Sequence, residues 1–281
     1  MRDGFKSYHP LANLIFYVAV IGVTMLTDDP FMLLVSLFGS IAYGVLLEGK
    51  KAVIITLRGI LPVIIFTALL NPLFNHAGIT PLFYMPGGNA VTLEAVLFGI
   101  SAGVKLSAVV MWFYSLNKIV TSDKIIYLFG KISPYFGLTL SLILGFVPVV
   151  KNKFSICFEA QSQFGKSKFV TLTRCMLSTA GWVIEGAADT AQSMHGRGFG
   201  LKGRTSFNLF IIEKKDIAFM VICAVAFGFI ILLKINGDFD FYYYPYVKSF
   251  GSPMRYFGSL VYLALCLMPF GVYFKERRKV K

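Results

Sequence analysis

The chain has 281 residues, of which 56% are hydrophobic and only 15% are charged, and its mean hydropathy is +0.70. One soluble domain cannot bury that much apolar surface, so the composition excludes a water-soluble globular protein and predicts an integral membrane protein. The net charge of +13 does not indicate a nucleic-acid partner. The cations lie in loops between apolar segments, where they set orientation and meet anionic lipid headgroups.

Apolar stretches predict the membrane-spanning helices. Crossing about 30 Å of hydrocarbon takes roughly 20 helical residues. Six stretches qualify, namely 11–28, 30–48, 52–71, 92–117, 216–235 and 256–274. Asp29-Pro30 is a helix stop and restart, so the first two spans are expected to form a tight hairpin. We therefore predict an all-α polytopic membrane protein with about six transmembrane helices.

Loop charges predict the orientation of these spans. Residues 72–91 contain no Lys or Arg, so we expect them outside, as a small hairpin that turns at Pro86-Gly87-Gly88-Asn89. Residues 151–215 contain ten Lys and Arg against four acids and are expected in the cytoplasm, as is the basic C-terminal tail. The predicted organisation is thus 1–117 for four membrane helices, 118–215 for a cytoplasmic region and 216–281 for two further helices. Both termini face the cytoplasm of a cell-membrane protein.

Residues 134–150 form a further apolar run with cations on both flanks. A span here would place one cationic flank outside, against the bias of cations towards the cytoplasm. We therefore expect a buried or interfacial helix on the cytoplasmic side.

Two amphipathic helices are predicted after this run. An apolar stripe from Val150 to Phe164 ends at Gly165, and a second stripe ends at Gly196. The second stripe covers five helical turns and consists of Met176, Ala180, Val183, Ile184, Ala187, Ala191 and Met194. Each stripe is too narrow for a span, so these helices are expected to lie against the membrane or against each other.

The ends of these two helices are nearly the same in sequence. Ala160-Gln-Ser-Gln-Phe-Gly-Lys166 and Ala191-Gln-Ser-Met-His-Gly-Arg197 lie 31 residues apart, and each ends in glycine followed by a cation. A cation at a helix C-terminus complements the helix dipole, and glycine supplies a left-handed cap. The duplication instead favours docking, because a two-fold dimer offers the same socket twice. An arginine freed by flanking glycines could meet a carboxylate there through two hydrogen bonds.

Other chemistry finds little support in the sequence. Gly165-Lys166-Ser167 resembles the end of a phosphate loop, but position 160 is Ala where that loop needs Gly, and a helix precedes it instead of a strand. The three histidines and four cysteines are dispersed, so neither a metal nor another cofactor is expected. Glu94 and Lys105 are the ionisable residues most clearly inside a span, and they lie about 16 Å apart along it. Lys105 is a candidate transport residue that lacks an acidic partner at mid-membrane.

Several short motifs together resemble the transmembrane T component of energy-coupling factor transporters, of the cobalt-permease Q type. The resemblance covers nearly the whole chain, and Ser193-Met-His-Gly-Arg-Gly-Phe-Gly200 is its most specific part. The weaker motifs are His9-Pro10-Leu11, Asp29-Pro30, Pro86-Gly87-Gly88-Asn89, Phe146-Val147-Pro148 at the entry to the first cytoplasmic helix, and Gly203-Arg204-Thr205.

The resemblance implies a non-catalytic membrane subunit. In that family two cytoplasmic coupling helices dock onto two ATP-binding cassette subunits, which hydrolyse ATP, and the spans hold a substrate-binding S component. Arg197 would then sit in a groove of one ATPase, and Lys166 would serve the other, although the first motif departs from the family by having lysine for arginine. The implied ATPase-coupling residues are Gln163, Gly165, Lys166, His195, Gly196, Arg197, Gly198 and Arg204.

We therefore expect the coupling subunit of an ATP-driven importer of a vitamin, a metal ion or another small nutrient. The main alternative is a stand-alone secondary transporter or channel, which would show inverted repeats and broken helices with charges at midplane. An intramembrane enzyme is disfavoured because no catalytic pairing appears within the spans. A structural scaffold stays open, since it differs from a coupling subunit only in whether motion is transmitted.

Overall fold

The computed structural model describes residues 4–84, 90–165, 167–201, 210–245, 247–249 and 253–279. The fold is all-α, as predicted, and two pairs of short strands are the only sheet in the described part of the chain. Residues 1–121 and 211–281 form one compact unit, and residues 122–210 form a second. Six helices of the described chain are long and apolar enough to cross a membrane, which fits a multi-pass membrane protein.

The first unit contains all six predicted spans. A 3₁₀ turn, Gly4–Ser7, precedes α1. The helices are α1 (Pro10–Leu26), α2 (Pro30–Glu48), α3 (Lys50–Ile55), α4 (Leu61–Phe74), α5 (Leu93–Ile119), α9 (Lys214–Ile235) and α10 (Pro253–Lys279). A π-helical turn, Thr56–Ile60, joins α3 to α4, so that Lys50–Phe74 is one long apolar helix. The strands are β1 (Pro81–Tyr84), β2 (Ala90–Thr92), β3 (Phe241–Tyr242) and β4 (Lys248–Ser249).

Local capping explains where the first two helices begin. The His9 ring nitrogen accepts from the Leu11 amide at 3.2 Å, and Pro10 occupies the first turn of α1, where a missing N–H costs nothing. Asp29 caps α2 in the same way, by accepting from the Phe31 amide at 3.0 Å. The predicted stop and restart at Asp29-Pro30 is confirmed.

The number of candidate spans agrees with the sequence prediction, but the set differs. The predicted span 11–28 is the 17-residue helix α1, about 25 Å long and shorter than the hydrocarbon core. In its place, residues 135–162 form a helix that is long and apolar enough to cross a membrane, which brings the number of candidate spans to six. The predicted outer hairpin has its two strands, since β1 pairs with β2 antiparallel. Its turn at 86–89 lies outside the described residues.

A buried polar chain links four helices of the first unit. Trp112 of α5 donates its indole N–H to Ser36 Oγ at 3.1 Å. Ser36 Oγ lies 2.8 Å from Thr24 Oγ1, which lies 2.8 Å from the Tyr262 hydroxyl. All four side chains are buried. Because no water reaches this interior, each hydroxyl needs a protein partner, and the chain thereby holds α1, α2, α5 and α10 together.

The helix α5 packs closely on α4 through two glycines one turn apart. A Cβ on Gly99 would lie 2.8 Å from the Thr67 carbonyl oxygen and 3.0 Å from Ala68 Cα. A Cβ on Gly103 would lie 2.9 Å from Ile64 Cα and would also overlap the Thr67 hydroxyl. Small residues at this spacing let two backbones approach, which is how helices associate where lipid removes the hydrophobic driving force.

Enlarging Gly103 is therefore expected to weaken the α4–α5 contact. Gly103→Ala should destabilise the protein by about 1–3 kcal/mol, because the added methyl group overpacks a backbone contact. Thermal unfolding in detergent measures the change. Gly228→Ala in α9 is the matched control, since a Cβ there meets nothing within 4 Å, and the gain in helix propensity should make it neutral or slightly stabilising. Equal midpoints for the two variants would contradict the close packing.

The described part of the second unit consists of three helices, α6 (Ser122–Ile132), α7 (Pro134–Ser162) and α8 (Lys168–Gly196). Separate helices were expected for 134–150 and for 150–164, with Pro148 at the entry to the second, and this is wrong: α7 runs through Pro148 unbroken. Proline removes one backbone hydrogen bond, and the hydrogen bonds of the turns on both sides sustain the helix. Flank charges argued against a span at 134–150, whereas length and composition place α7 among the candidate spans.

Candidate functional site: two glycine-capped helix ends

The C-terminus of α8 carries the most specific sequence motif. Gly198, with φ +79°, takes the left-handed conformation that favours glycine. Its amide donates to the His195 carbonyl at 3.0 Å, and the Phe199 amide donates to the Met194 carbonyl at 3.0 Å. These two bonds form a Schellman motif, so backbone groups cap this helix end.

Arg197 is the last residue before this cap, and its side chain is exposed. No described residue accepts a hydrogen bond or forms an ion pair with its guanidinium group. The sequence left a capping role and a docking role open for this residue. Since the Schellman bonds cap α8 without its side chain, the guanidinium group is exposed and none of its donors is used by a described residue.

The end of α7 resembles the end of α8 in part. Gly165 has φ +64° and its amide lies 3.4 Å from the Ser162 carbonyl, so a left-handed glycine ends this helix too. Gln163 and Phe164 are exposed beside it. The bonding differs from that of α8, because the Phe164 amide donates to the Gln161 carbonyl three residues back. Lys166, the predicted counterpart of Arg197, and Arg204 both lie outside the described residues.

The structure separates the two helix ends. α8 has 29 residues, so Gly165 at its start and Arg197 at its end lie roughly 43 Å apart along its axis. Arg197 lies beside His195, Gly196 and Gly198 in the chain. The ring centroids of His195 and Phe199 are 6.3 Å apart, in an edge-to-face arrangement. The predicted coupling residues that the structure describes thus fall into two groups, one near each end of α8.

The helix α8 turns only part of the predicted stripe towards α7. The residues it buries are Thr171, Cys175 and Thr179, whereas Met176 and Ile184 of the predicted stripe are 57% and 71% exposed. Four other residues of the stripe, Val183, Ala187, Ala191 and Met194, line an apolar groove of about 660 Å³ between α7 and α8. Its lining includes Phe146, Val150, Phe154, Val183, Ala187 and Met194. The predicted stripe is therefore available to a partner or to lipid.

Lys105 has an acidic partner that the sequence did not reveal. Its ammonium group lies 2.8 Å from Asp28 Oδ1, at the turn between α1 and α2. Asp28 lies 77 positions away in the chain, at the end of the predicted span 11–28. Glu94 does not face Lys105: it is buried near the start of α5, and its carboxylate accepts from the Thr80 amide at 3.3 Å.

A second ion pair was also missed. Asp29 is 1% exposed, and Arg255 of α10 binds it in bidentate fashion, with Nε 2.5 Å from Oδ2 and the NH2 nitrogen 2.7 Å from Oδ1. The sequence offered one indication of this pair: Arg255 directly precedes the predicted span 256–274, at the same side of the membrane as the predicted turn at Asp29. No cluster of three or more His, Cys, Asp or Glu residues suits a metal ion within the described chain.

No protein-family model matches the chain, and no curated protein matches it. The resemblance to the T components therefore rests on the motifs quoted from the sequence.

Proposed function

We propose that this protein is the membrane-embedded T component of an ATP-driven importer of the energy-coupling factor type. It would be catalytically silent, and would link two ATP-binding cassette subunits to a membrane-embedded S component that binds a vitamin, a metal ion or another small nutrient. Both termini would be cytoplasmic in the cell membrane. The observation that carries the proposal is Arg197, exposed and without a partner among the described residues, at a helix end that the backbone caps by itself.

The geometry of the second unit supports the remaining parts of the proposal. Two glycine-capped ends separated by the length of one helix suit two sockets on a dimer of ATPases. Closure of that dimer would displace both ends, and α7 and α8 would carry the displacement to whatever lies against them. The open apolar groove between α7 and α8 is a suitable surface for the S component.

Co-purification tests this proposal directly. We expect the tagged chain, isolated from its native membrane in a mild detergent, to bring down ATP-binding subunits and a small membrane protein that mass spectrometry identifies. The ATPases should be recovered in an approximately two-to-one ratio to the tagged chain, as the two helix ends require. Recovery of the chain without any ATPase would overturn the proposal.

The Lys105–Asp28 pair favours the alternative of a secondary transporter, since ionisable groups within spans often serve a transport path. Its side chains are 26% and 58% exposed, however, which is typical of a surface pair of small energetic value. Transport by the purified chain alone in liposomes, driven by an ion gradient and lost in Lys105→Met, would support the alternative.

A further inference from the structure

The π-helical turn between α3 and α4 has a clear cause in the sequence. Pro62 has no N–H to donate to the Arg58 carbonyl four residues earlier, and its ring clashes with that carbonyl in a regular α-helix. The helix responds by widening: the Leu61 amide donates to the Thr56 carbonyl, five residues back. Such single wide turns in helices often occur at functional sites.

Arg58 lies in this turn and points away from the rest of the protein. Its side chain is exposed, as are the neighbouring Leu57 and Leu61, which are 58% and 49% exposed. Within Lys50–Phe74, only 6% of the apolar 18-residue stretch that could cross a membrane is buried inside the protein. A Cβ on Gly59 would meet nothing within 4 Å. Arg58 is thus a full positive charge on an apolar, bilayer-facing helix.

No described residue neutralises this charge. Glu48 lies two residues before Lys50, and its carboxylate already has partners. Lys118 Nζ lies 2.6 Å from Glu48 Oε1, and the Tyr114 hydroxyl donates to Glu48 Oε2. Lys50 and Lys51 are exposed at the start of the helix, about 12 Å from Arg58 along its axis. An extended arginine side chain covers about half of this distance towards the headgroup layer while its alkyl stem stays in hydrocarbon, and a lysine that extends towards it covers most of the remainder.

We propose that Arg58, together with Lys50 and Lys51, binds the phosphate of an anionic phospholipid. The planar fork of an arginine fits two phosphate oxygens, and the two lysines add charge at the headgroup level. The acyl chains would lie along the exposed apolar residues of α4, and this continuity of apolar surface below the cations favours a lipid over an acidic protein segment. The site does not depend on the proposed function, because it requires only that Lys50–Phe74 faces the bilayer.

Lipid binding to the full chain in neutral detergent tests the site. Native mass spectrometry would count bound phosphatidylglycerol and phosphatidylcholine, and a lipid titration followed by thermal unfolding would give the apparent affinities. We expect wild type to prefer phosphatidylglycerol. Arg58→Gln should reduce that affinity roughly tenfold through loss of a charge-assisted bidentate contact, and Arg58→Lys should lie between the two.

The controls separate a site from general attraction to a basic protein. Lys275→Gln removes one exposed cation near the end of α10 and should leave the affinity for phosphatidylglycerol unchanged. Unchanged affinity in Arg58→Gln, or an equal loss in Lys275→Gln, would overturn the site. Displacement of the lipid by inorganic phosphate would overturn the lipid as its occupant, and a bound acidic protein segment in place of lipid would do the same. Arg58→Lys keeps the test valid if Arg58→Gln fails to fold.

Discussion

Replacing Arg197 with alanine is expected to reduce recovery of the ATP-binding subunits at least thirtyfold and to abolish nutrient uptake. If the guanidinium group pairs with a carboxylate in a partner's pocket, truncation leaves that carboxylate buried and unpaired, which costs about 2–5 kcal/mol of binding. A loss of 1.4 kcal/mol is already tenfold in affinity. The fold should be unaffected, within about 0.5 kcal/mol, because the exposed side chain has no hydrogen-bond or ion-pair partner among the described residues and the Schellman bonds remain.

Affinity purification from membranes, with uptake measured in the same cells, checks this result. Arg174→Ala is the matched control, since Arg174 is also an exposed arginine of α8 but lies more than five turns before the cap. It should retain both the ATPases and uptake. If Arg197→Ala also retains both, the glycine-rich end is only a helix cap and coupling must occur elsewhere.

Lys166→Ala and the double variant extend the same experiment to the second helix end. A lysine is a single point charge without the fork of arginine, so Lys166→Ala alone should weaken recovery less than Arg197→Ala does. The double variant should lose the ATPases completely, because both sockets are then empty.

Replacing Arg255 with alanine is expected to cause the largest loss of stability, about 3–5 kcal/mol. The Asp29 carboxylate is 1% exposed and would remain buried without its cation. Among the described residues, it would keep only its bond from the Phe31 amide at 3.0 Å. Thermal unfolding in detergent should show a large decrease in midpoint, or the variant should fail to accumulate in membranes.

Two further variants separate this effect from a general loss of charge. Lys215→Ala breaks an ion pair of 3.0 Å with Glu213, whose side chain is 63% exposed, and should cost less than about 1 kcal/mol. Asp29→Asn combined with Arg255→Gln leaves no buried charge, keeps a capping side chain on α2 and should be more stable than Arg255→Ala. Equal losses for Arg255→Ala and Lys215→Ala would contradict a buried, coupled pair.

The predicted and observed helices differ most where a long helix passes through a polar or proline-containing segment. Residues 134–164 contain Pro148 and the cations Lys151 and Lys153, which suggested a boundary, yet α7 is continuous. Local rules assign a helix end to such residues, but the hydrogen bonds of the neighbouring turns outweigh one missing donor. At Pro62 the helix widens by one residue and continues, in agreement with the uninterrupted predicted span 52–71.

The sequence by itself determined the all-α membrane class, the hairpin at Asp29-Pro30 and the glycine-ended helices before Lys166 and Arg197. These are local properties: hydropathy over about 20 residues, a capping side chain and a left-handed glycine act within a few turns of the chain. Only the tertiary structure decided that Asp28 meets Lys105, that Arg255 holds Asp29 and that α8 faces α7 with Thr171, Cys175 and Thr179. Those contacts depend on the rotation and separation of packed helices, which the periodicity of a single helix does not specify.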